Sequence, residues 1–238
     1  GRLFELHEQK TKSDFVVGDL FLGKIKKLAP NLNAAFVSIG TDKDAFLHYQ
    51  DLGPQFLSYQ KFLKNTISKK QQTPSLKNAE HAKDIDKMGT VDKVLTAGDV
   101  VLLQITKEPI STKGPRISTQ ISLTGRFLVL IPFDNKISIS KKVSDGAEKE
   151  RLKTLIESIR PEGFGVIIRT VAEGKKVAEL HNDMNQLVKK WETTFKNIQK
   201  NKVPSKILSE EDKASSILRD NFNQDFVSII CDDEKMVE

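Results

Sequence analysis

The first hundred residues alternate between apolar and polar positions in short runs that predict a small β-barrel. Tight polar turns separate the first three runs, and a strongly β-branched run returns much later in the chain. Short strands with a late return strand are typical of a closed barrel. The predicted strands are residues 19–28, 34–39, 45–48 and 100–106.

Side-chain parity within two of these strands separates a buried face from an outer face. In residues 34–39, Val37 and Ile39 share one face and Phe36 lies on the other. In residues 45–48, Leu47 and Phe46 divide in the same way. Burying the aliphatic residues therefore places Phe36 and Phe46 on the outer faces, where the two rings could lie side by side.

Residues 55–93 interrupt the barrel pattern with a segment rich in Lys, Gln and Ser. Its length and weak periodicity predict a mobile loop or a partly helical excursion. Its lysines could contact RNA, or the segment could be solvated chain without a binding role. The sequence leaves these two alternatives open.

From Ile117 onward the pattern predicts a second module that combines strands and helices. Strands are predicted at residues 117–123, 127–131 and 165–170. Ser144 or Asp145 can cap a first helix. A longer second helix follows, and in both helices the apolar residues recur in steps of three and four that keep one face apolar. The stripe of the first helix is Leu152, Leu155, Ile156 and Ile159. The stripe of the second is Leu180, Met184, Leu187, Trp191, Phe195 and Ile198.

The end of the chain predicts one more helix and one more strand. Ser209 to Asp212 resembles a capping box that opens a helix to about Phe222, and residues 226–231 have the pattern of a strand. This piece is too short to fold alone. The chain begins with Gly1 instead of Met and ends without a terminating pattern, so we expect it to be a fragment.

Composition narrows the class of protein without fixing a function. The 238 residues are 38% hydrophobic and 29% charged, as in ordinary globular proteins. No stretch approaches the ~20 apolar residues of a membrane span. Cys231 is the single cysteine, which excludes an internal disulfide or a cysteine-built zinc site within this chain and indicates a reducing, cytoplasmic setting. The net charge of +6 fits either a solvated surface or a polyanionic partner.

Candidate binding residues lie at two places. On the barrel, exposed Phe36 and Phe46 could stack on unpaired bases, and the turn that carries Lys113 and Arg116 would add cations after the last barrel strand. In the second module, Arg169 with the adjacent Thr170 could bind phosphate, and Gly125 gives a turn whose backbone can be approached closely. Two alternatives stay open: the phenylalanines could pack under a loop, and Arg169 could pair with a surface carboxylate.

The sequence gives weak evidence for metal or nucleophilic chemistry. The four histidines show no ligand spacing. Residues 232–234 are acidic and follow a predicted strand, where carboxylates can gather around Mg²⁺, but consecutive acidic residues also form ordinary solvated turns.

Three segments and a tryptophan-bearing helix together resemble the ribonuclease E/G family, closer to its ribonuclease G branch. The segments are GDLFLGKIKKLAPNLNAAFVSIGTDKDAFLH, ISLTGRFLVLIP and GVIIRT, and Lys190-Trp191-Glu192 lies on the helix that follows. The resemblance covers nearly the whole chain outside residues 55–93. Any one of these segments would be weak evidence, but their order and spacing together are specific.

The resemblance implies an α+β fold with an S1/OB-type β-barrel inserted in an RNase H-like subdomain and followed by a 5′-sensor module. Residues 1–15 and 205–238 would form the two ends of the RNase H-like subdomain. Residues 16–116 would form the S1 domain, with the long insert at about 55–93, and residues 117–204 the 5′-sensor module.

The resemblance also assigns roles to individual residues. Phe36 and Phe46 match the two aromatics that stack on RNA, and Lys113 matches the basic residue near the end of the S1 domain. The pocket for a 5′-monophosphate matches Gly125, Val129, Arg169 and Thr170.

By this resemblance the intact protein would be a cytoplasmic endoribonuclease that processes and degrades single-stranded RNA. Its two catalytic aspartates, which hold Mg²⁺, and its zinc-linking cysteines would lie beyond residue 238, so no catalytic or metal-binding residue is expected within this chain. We therefore expect this chain to be inactive alone. The full-length protein would form homodimers or homotetramers. The main alternative is a non-catalytic S1-type RNA-binding protein acting in translation, and a more distant one is a structural or assembly protein.

Overall fold

The computed structural model describes residues 6, 15–109, 113–211, 213–221 and 227–232. Strands and helices alternate along these residues in a mixed α and β fold, as the hydrophobic pattern predicts. The strands are β1 (Leu20–Ala29), β2 (Ala34–Ser38), β3 (Ala45–His48), β4 (Val100–Lys107), β5 (Arg116–Ser118), β6 (Leu123–Thr124), β7 (Leu128–Pro132), β8 (Ile137–Ile139), β9 (Phe164–Ile168) and β10 (Ser205–Leu208). The helices are α1 (Phe56–Ile67), α2 (Gly146–Ile159), α3 (Val177–Lys200) and α4 (Lys213–Asn221).

The first five strands close into a barrel in the order β1-β2-β3-β5-β4, with β4 pairing back to β1. The long strand β1 makes this closure possible, because its first half pairs with β4 and its second half with β2. At the change of partner, a Cβ on Gly23 would lie 2.6 Å from Val37 Cγ1 and 2.8 Å from Leu103 Cδ2. Glycine therefore permits the close packing at this barrel corner. The topology is consistent with an OB-type barrel.

The first half of strand β1 is buried on both of its faces, which explains its apolar run from Leu20 to Leu22. Phe21 and Ile25 belong to the core inside the barrel, together with Val37 and the other inward residues of β2 to β5. Leu20 and Leu22 belong to a second core on the outside of the barrel. Buried and exposed positions therefore do not alternate in this part of β1, because its outer face packs against the second module.

The second sheet has the strand order β6-β7-β9-β8, and helix α3 packs against it. The predicted apolar stripe of α3 is buried, including Leu180 and Trp191. Of the two predicted caps for α2, the structure has Asp145, whose side chain accepts a hydrogen bond from the Ala147 N–H at 2.9 Å. The prediction of two helices on this module is confirmed.

The prediction of one strand over residues 117–123 is wrong. Residues 116–118 form β5 and complete the barrel, whereas residues 123–124 form β6 in the second sheet. Between the two strands, the Thr119 N–H donates to the Asp51 carbonyl, and the Ser122 N–H donates to the Gln104 side chain. Ile117 and Leu123 are both buried, but in different cores. An apolar run therefore looked like one strand although it crosses between two sheets.

The prediction of a partly helical excursion over residues 55–93 is confirmed, since the segment contains α1, and most of residues 67–90 are exposed, as expected of solvated chain. Helix α1 buries Phe56, Tyr59 and Phe62, and Leu76 is buried further along. Tyr59 Oη donates to the Pro132 carbonyl of β7 at 3.2 Å. Aromatic packing against the second sheet holds α1 in place despite the polar composition of the segment.

The C-terminal residues divide between confirmed and wrong predictions. Strand β10 pairs with Leu20–Leu22 of β1 and extends the barrel sheet, and α4 matches the predicted helix. Residues 227–231 have no regular structure, contrary to the predicted strand, and Val227 and Ile230 are 99% and 94% exposed. No strand in the described part of the chain lies beside them to satisfy their backbone groups. Residue 226 of that prediction lies outside the described residues.

Candidate nucleic-acid interface

Phe36 and Phe46 lie side by side on the outside of the barrel. They face each other across the antiparallel pair β2–β3, their ring centroids are 5.9 Å apart, and their planes meet at 69°. Both side chains are half-buried, whereas their neighbours Val37 and Leu47 are fully buried. The arrangement predicted from side-chain parity is confirmed, and both rings stay partly exposed instead of being buried under a loop of the described chain.

A groove with a volume of about 660 Å³ contains this aromatic pair. Lys113 lines the same groove, so the structure brings together the three residues that the sequence predicts for the barrel. The remaining lining combines one apolar side chain with charged ones and a glycine: Leu32, Lys43, Asp44, Lys107, Glu108, Gly114 and Arg116. Four cationic side chains thus face two carboxylates, and the groove has an excess of positive charge.

The backbone around Gly114 places Lys113 beside the aromatic pair. The Phe46 N–H donates to the Pro115 carbonyl at 3.0 Å, which docks this turn on the edge of β3. A Cβ on Gly114 would overlap the carbonyl oxygen of Asp44. Only glycine therefore allows the turn to approach β3 this closely.

Two cations of this region differ in how they are held. Arg116 makes a two-pronged contact with Asp51, from Nε at 3.0 Å and Nη2 at 3.2 Å. In the part of the chain that the structure describes, Lys113 forms no ion pair.

The sequence predicts both cations on a turn after the last barrel strand, and this prediction is wrong. The turn precedes β5, a barrel strand of only three residues, and Arg116 begins that strand.

The second predicted site is organised around the turn between β6 and β7. The Gly125 N–H donates to the Leu128 carbonyl at 2.8 Å and closes the turn. Arg169 follows β9, which ends at Ile168, two residues before the end of the strand predicted over residues 165–170. Its Nη1 donates to the Gly125 carbonyl at 2.8 Å and to the Arg126 carbonyl at 3.1 Å. Gly125 and Arg169 are therefore in direct contact.

Arg169 also forms an ion pair with Asp220 of α4, at 2.9 Å from Nη1. Burial acts to raise the pKa of the Asp220 carboxyl, but hydrogen bonds from Arg169 and Arg219 outweigh it and hold the pKa below its ordinary value. The alternative that Arg169 pairs with a carboxylate is thus confirmed, although only its Nη1 takes part in the ion pair. All hydrogen bonds of this guanidinium within the described chain come from Nη1.

A pocket of about 430 Å³ lies next to Arg169 and contains Thr170. The Thr170 hydroxyl lies 2.8 Å from the Ser140 hydroxyl, which shares the pocket. Val129 of β7 is paired with Ile167 of β9, and Ile167 lines the pocket. The four residues predicted for a 5′-phosphate site are therefore neighbours, although only Arg169 and Thr170 line this pocket directly.

Several residues of this region were missed at the level of sequence. Asp183 of α3 is 6% exposed and accepts hydrogen bonds from three backbone N–H groups of the Gly125 turn. It lies on the buried face of α3 beside Leu180 and Leu187, and a carboxylate within an apolar stripe is the signal that could have found it. Asp220 and Ser140 carry no such signal, because only the fold brings them to Arg169 and Thr170.

The described residues do not fit a metal ion. Among them, no three His, Cys, Asp or Glu side chains gather in a way that could hold one. Of the acidic run at residues 232–234, only Asp232 is described. The described helices also include none that is long and apolar enough to cross a membrane.

Comparisons with known proteins agree with the resemblance seen in the motifs. The model of the ribonuclease E/G family matches residues 122–238. Ribonuclease E of Nostoc sp. is 31% identical over 217 residues, which is 91% of this chain and 28% of the relative. Ribonuclease G of Escherichia coli is 29% identical over 220 residues, 92% of this chain and 41% of the relative. A ribonuclease E/G-like protein of Pyropia yezoensis is 29% identical over 219 residues, 92% of this chain and 38% of the relative.

These relatives extend well beyond the aligned region, since the chain spans less than half of the length of each. Identities of 31% and 29% to ribonuclease E and ribonuclease G do not separate the two branches, so the closer likeness to ribonuclease G stays a prediction. The matched regions together include both the barrel and the second sheet. This chain belongs to the ribonuclease E/G family.

Proposed function

We propose that this chain is the part of an endoribonuclease that binds single-stranded RNA and recognises its 5′ end. The observation that carries the proposal is the half-exposed pair of Phe36 and Phe46 in a groove with Lys113. Aromatic rings beside cations suit a chain of unpaired bases joined by phosphates. The second and third strands of OB-type barrels are a common site for such ligands.

In the proposed complex, bases stack on the two phenylalanines while lysines contact the backbone. The rings of Phe36 and Phe46 are tilted by 69°, so they offer separate surfaces to successive bases. Lys27 lies over the Phe36 ring, with Nζ 5.5 Å from the centroid, and adds a cation on that side. Stacking does not depend on base identity, so we expect broad recognition of single-stranded RNA.

In the proposed complex, the pocket at Arg169 and Thr170 binds the 5′-monophosphate of the RNA. Nη1 of Arg169 is held by two carbonyls and Asp220, which leaves Nε and Nη2 for a phosphate. The Thr170 and Ser140 hydroxyls can donate further hydrogen bonds to its oxygens. By the family resemblance, a 5′-triphosphate would be too bulky for this pocket.

The whole protein's activity is a further part of the proposal and rests on the family. The intact protein would hydrolyse an internal phosphodiester of RNA with the help of Mg²⁺. It would act in the cytoplasm as a dimer or tetramer. Among the described residues, no three His, Cys, Asp or Glu side chains gather in a way that could hold Mg²⁺ or Zn²⁺. The residues of this chain would hold the RNA and its 5′ end.

We expect these 238 residues to bind single-stranded RNA without cleaving it, because the resemblance assigns catalysis to aspartates outside them. Labelled RNA incubated with the purified chain and Mg²⁺ should remain intact on a denaturing gel. Cleavage that a chelator abolishes would contradict this expectation.

Replacing Arg169 by alanine tests the 5′-end site. The wild-type chain should bind an A/U-rich RNA with a 5′-monophosphate about 10- to 100-fold more tightly than the same RNA with a 5′-hydroxyl, as expected for charge-assisted hydrogen bonds. Arg169→Ala should remove this preference and keep the affinity for the 5′-hydroxyl RNA. Fluorescence anisotropy with a 3′-labelled RNA measures both affinities.

Arg160→Ala provides a matched control, because Arg160 Nη1 likewise donates to two backbone carbonyls, those of Asn135 and Phe164. This variant should keep the preference. Equal binding of both RNAs by the wild type would reduce the proposal to a single-stranded RNA binder of the S1 type, such as one acting in translation. No binding at low salt would favour a structural protein.

A further inference from the structure

The carboxylate of Asp183 is buried against the backbone of the turn that carries Gly125. Oδ1 accepts a hydrogen bond from the Arg126 N–H at 3.0 Å, and Oδ2 accepts two at 2.9 Å, from Phe127 and Leu128. Only 6% of the residue is exposed. A buried carboxylate is tolerated where such donors replace water, and here three consecutive backbone N–H groups do so.

These hydrogen bonds fix the orientation of two peptide units. A trans peptide is planar, so its N–H and C=O groups point in opposite directions. The unit that directs the Arg126 N–H at Asp183 directs the Gly125 carbonyl away from it. The next unit directs the Phe127 N–H at Asp183 and the Arg126 carbonyl away. Those two carbonyls are the ones that accept from Nη1 of Arg169, at 2.8 and 3.1 Å.

Gly125 allows this arrangement because it has no side chain. A Cβ at this position would lie 2.7 Å from Oδ1 and 2.8 Å from Oδ2 of Asp183. Any larger residue would separate the carboxylate from the turn. Gly125, which the family resemblance assigns to the phosphate pocket, thus also leaves the room that the Asp183 carboxylate occupies.

We infer that Asp183 is a positioning residue for recognition of the RNA 5′ end. It acts through the 125–126 and 126–127 peptide units, which hold Nη1 of Arg169 and so direct the remaining nitrogens of the guanidinium to the phosphate pocket. This inference rests on the proposed function. Asp183 itself has no contact with the RNA in this arrangement, and its effect is confined to the 5′-phosphate.

Asp183→Asn tests the inference, because the amide keeps the shape but turns one acceptor into a donor facing backbone N–H groups. We expect the preference for 5′-monophosphate over 5′-hydroxyl RNA to fall about ten-fold, as when a charge-assisted hydrogen bond is misplaced. Affinity for the 5′-hydroxyl RNA should stay unchanged, because the barrel groove is intact. Glu192→Gln, the same change of charge further along α3, should alter neither affinity.

A double-mutant cycle separates positioning from general support of the fold. Arg169→Lys keeps a cation for the phosphate but lacks the guanidinium nitrogen that the two carbonyls hold, so it should retain part of the preference. If Asp183 acts through Arg169, Asp183→Asn should cause no further loss of preference in the Arg169→Lys background. Additive losses, or a folded Asp183→Asn variant that keeps the full preference, would overturn the inference. Where Asp183→Asn does not fold, Asp183→Ser, which removes the charge and keeps a single hydroxyl acceptor for the turn, replaces it in the same measurements.

An NMR measurement keeps the inference distinct from the proposed function. The Nε–H resonance of Arg169 reports on the guanidinium without RNA. If the wild type shows no 5′-end preference, the proposed 5′-end site fails. A shifted or broadened Arg169 resonance in Asp183→Asn would still support positioning by Asp183, and an unchanged resonance would refute it.

Discussion

Replacing Phe36 and Phe46 by alanine should each weaken binding of single-stranded RNA by ~1–3 kcal/mol, or roughly 5- to 150-fold, because base–aromatic stacking contributes about that much. The two rings touch, with centroids 5.9 Å apart, so the loss in the double variant need not equal the sum of the single losses. An A/U-rich RNA with a 5′-hydroxyl isolates this effect from the 5′-end site. Fluorescence anisotropy at fixed salt gives the affinities, since backbone contacts depend on ionic strength.

Substitution by leucine provides the control for this experiment. Phe36→Leu and Phe46→Leu keep apolar bulk on the barrel surface but remove the aromatic faces, so they should lose most of the same affinity. Thermal unfolding should change little in all four variants, because neither side chain belongs to the barrel core. Alanine variants that bind RNA as well as the wild type would show that the groove is not the RNA site.

The barrel and its aromatic pair could be predicted from sequence because their pattern is local. Strict alternation in β2 and β3 buries Val37 and Leu47 and leaves Phe36 and Phe46 outside, and the structure agrees. Helix α3 could be predicted for the same reason, since its apolar stripe continues from Leu180 to Ile198 of a 24-residue helix. A pattern of this length has few alternative interpretations.

What could not be predicted depends on contacts between distant segments. Strand β5 has three residues, and only its pairing with β3 and β4 shows that it closes the barrel. The Arg169–Asp220 ion pair joins residues 51 positions apart in the chain. Neither can be deduced from periodicity. The burial of α1 is different, because Phe56, Tyr59 and Phe62 have helical spacing that the polar composition around them obscured.

Phe62→Ala should destabilise the protein by ~3–5 kcal/mol, the usual cost of removing a buried phenylalanine ring. Phe62 is 6% exposed, and its ring lies 5.4 Å from that of Phe133, 5.9 Å from Trp191 and 6.0 Å from Phe195. Domains of this kind have a free energy of unfolding of ~5–15 kcal/mol, so the loss is a large fraction of the total. Urea unfolding followed by tryptophan fluorescence measures it, because Trp191 is the single tryptophan and contacts this ring.

Leu57→Ala on the same helix is the control, because Leu57 is 37% exposed and should cost far less. A loss below about 1 kcal/mol for Phe62→Ala would mean that α1 is dispensable, as its polar composition suggests. The contacts argue otherwise. Trp191 Nε1 donates to the Pro74 carbonyl at 2.8 Å, so the segment is tied to α3, the helix that carries Asp183. Residues 55–93, which lie outside the motifs that resemble the family, thus support the helix beneath the proposed 5′-end site.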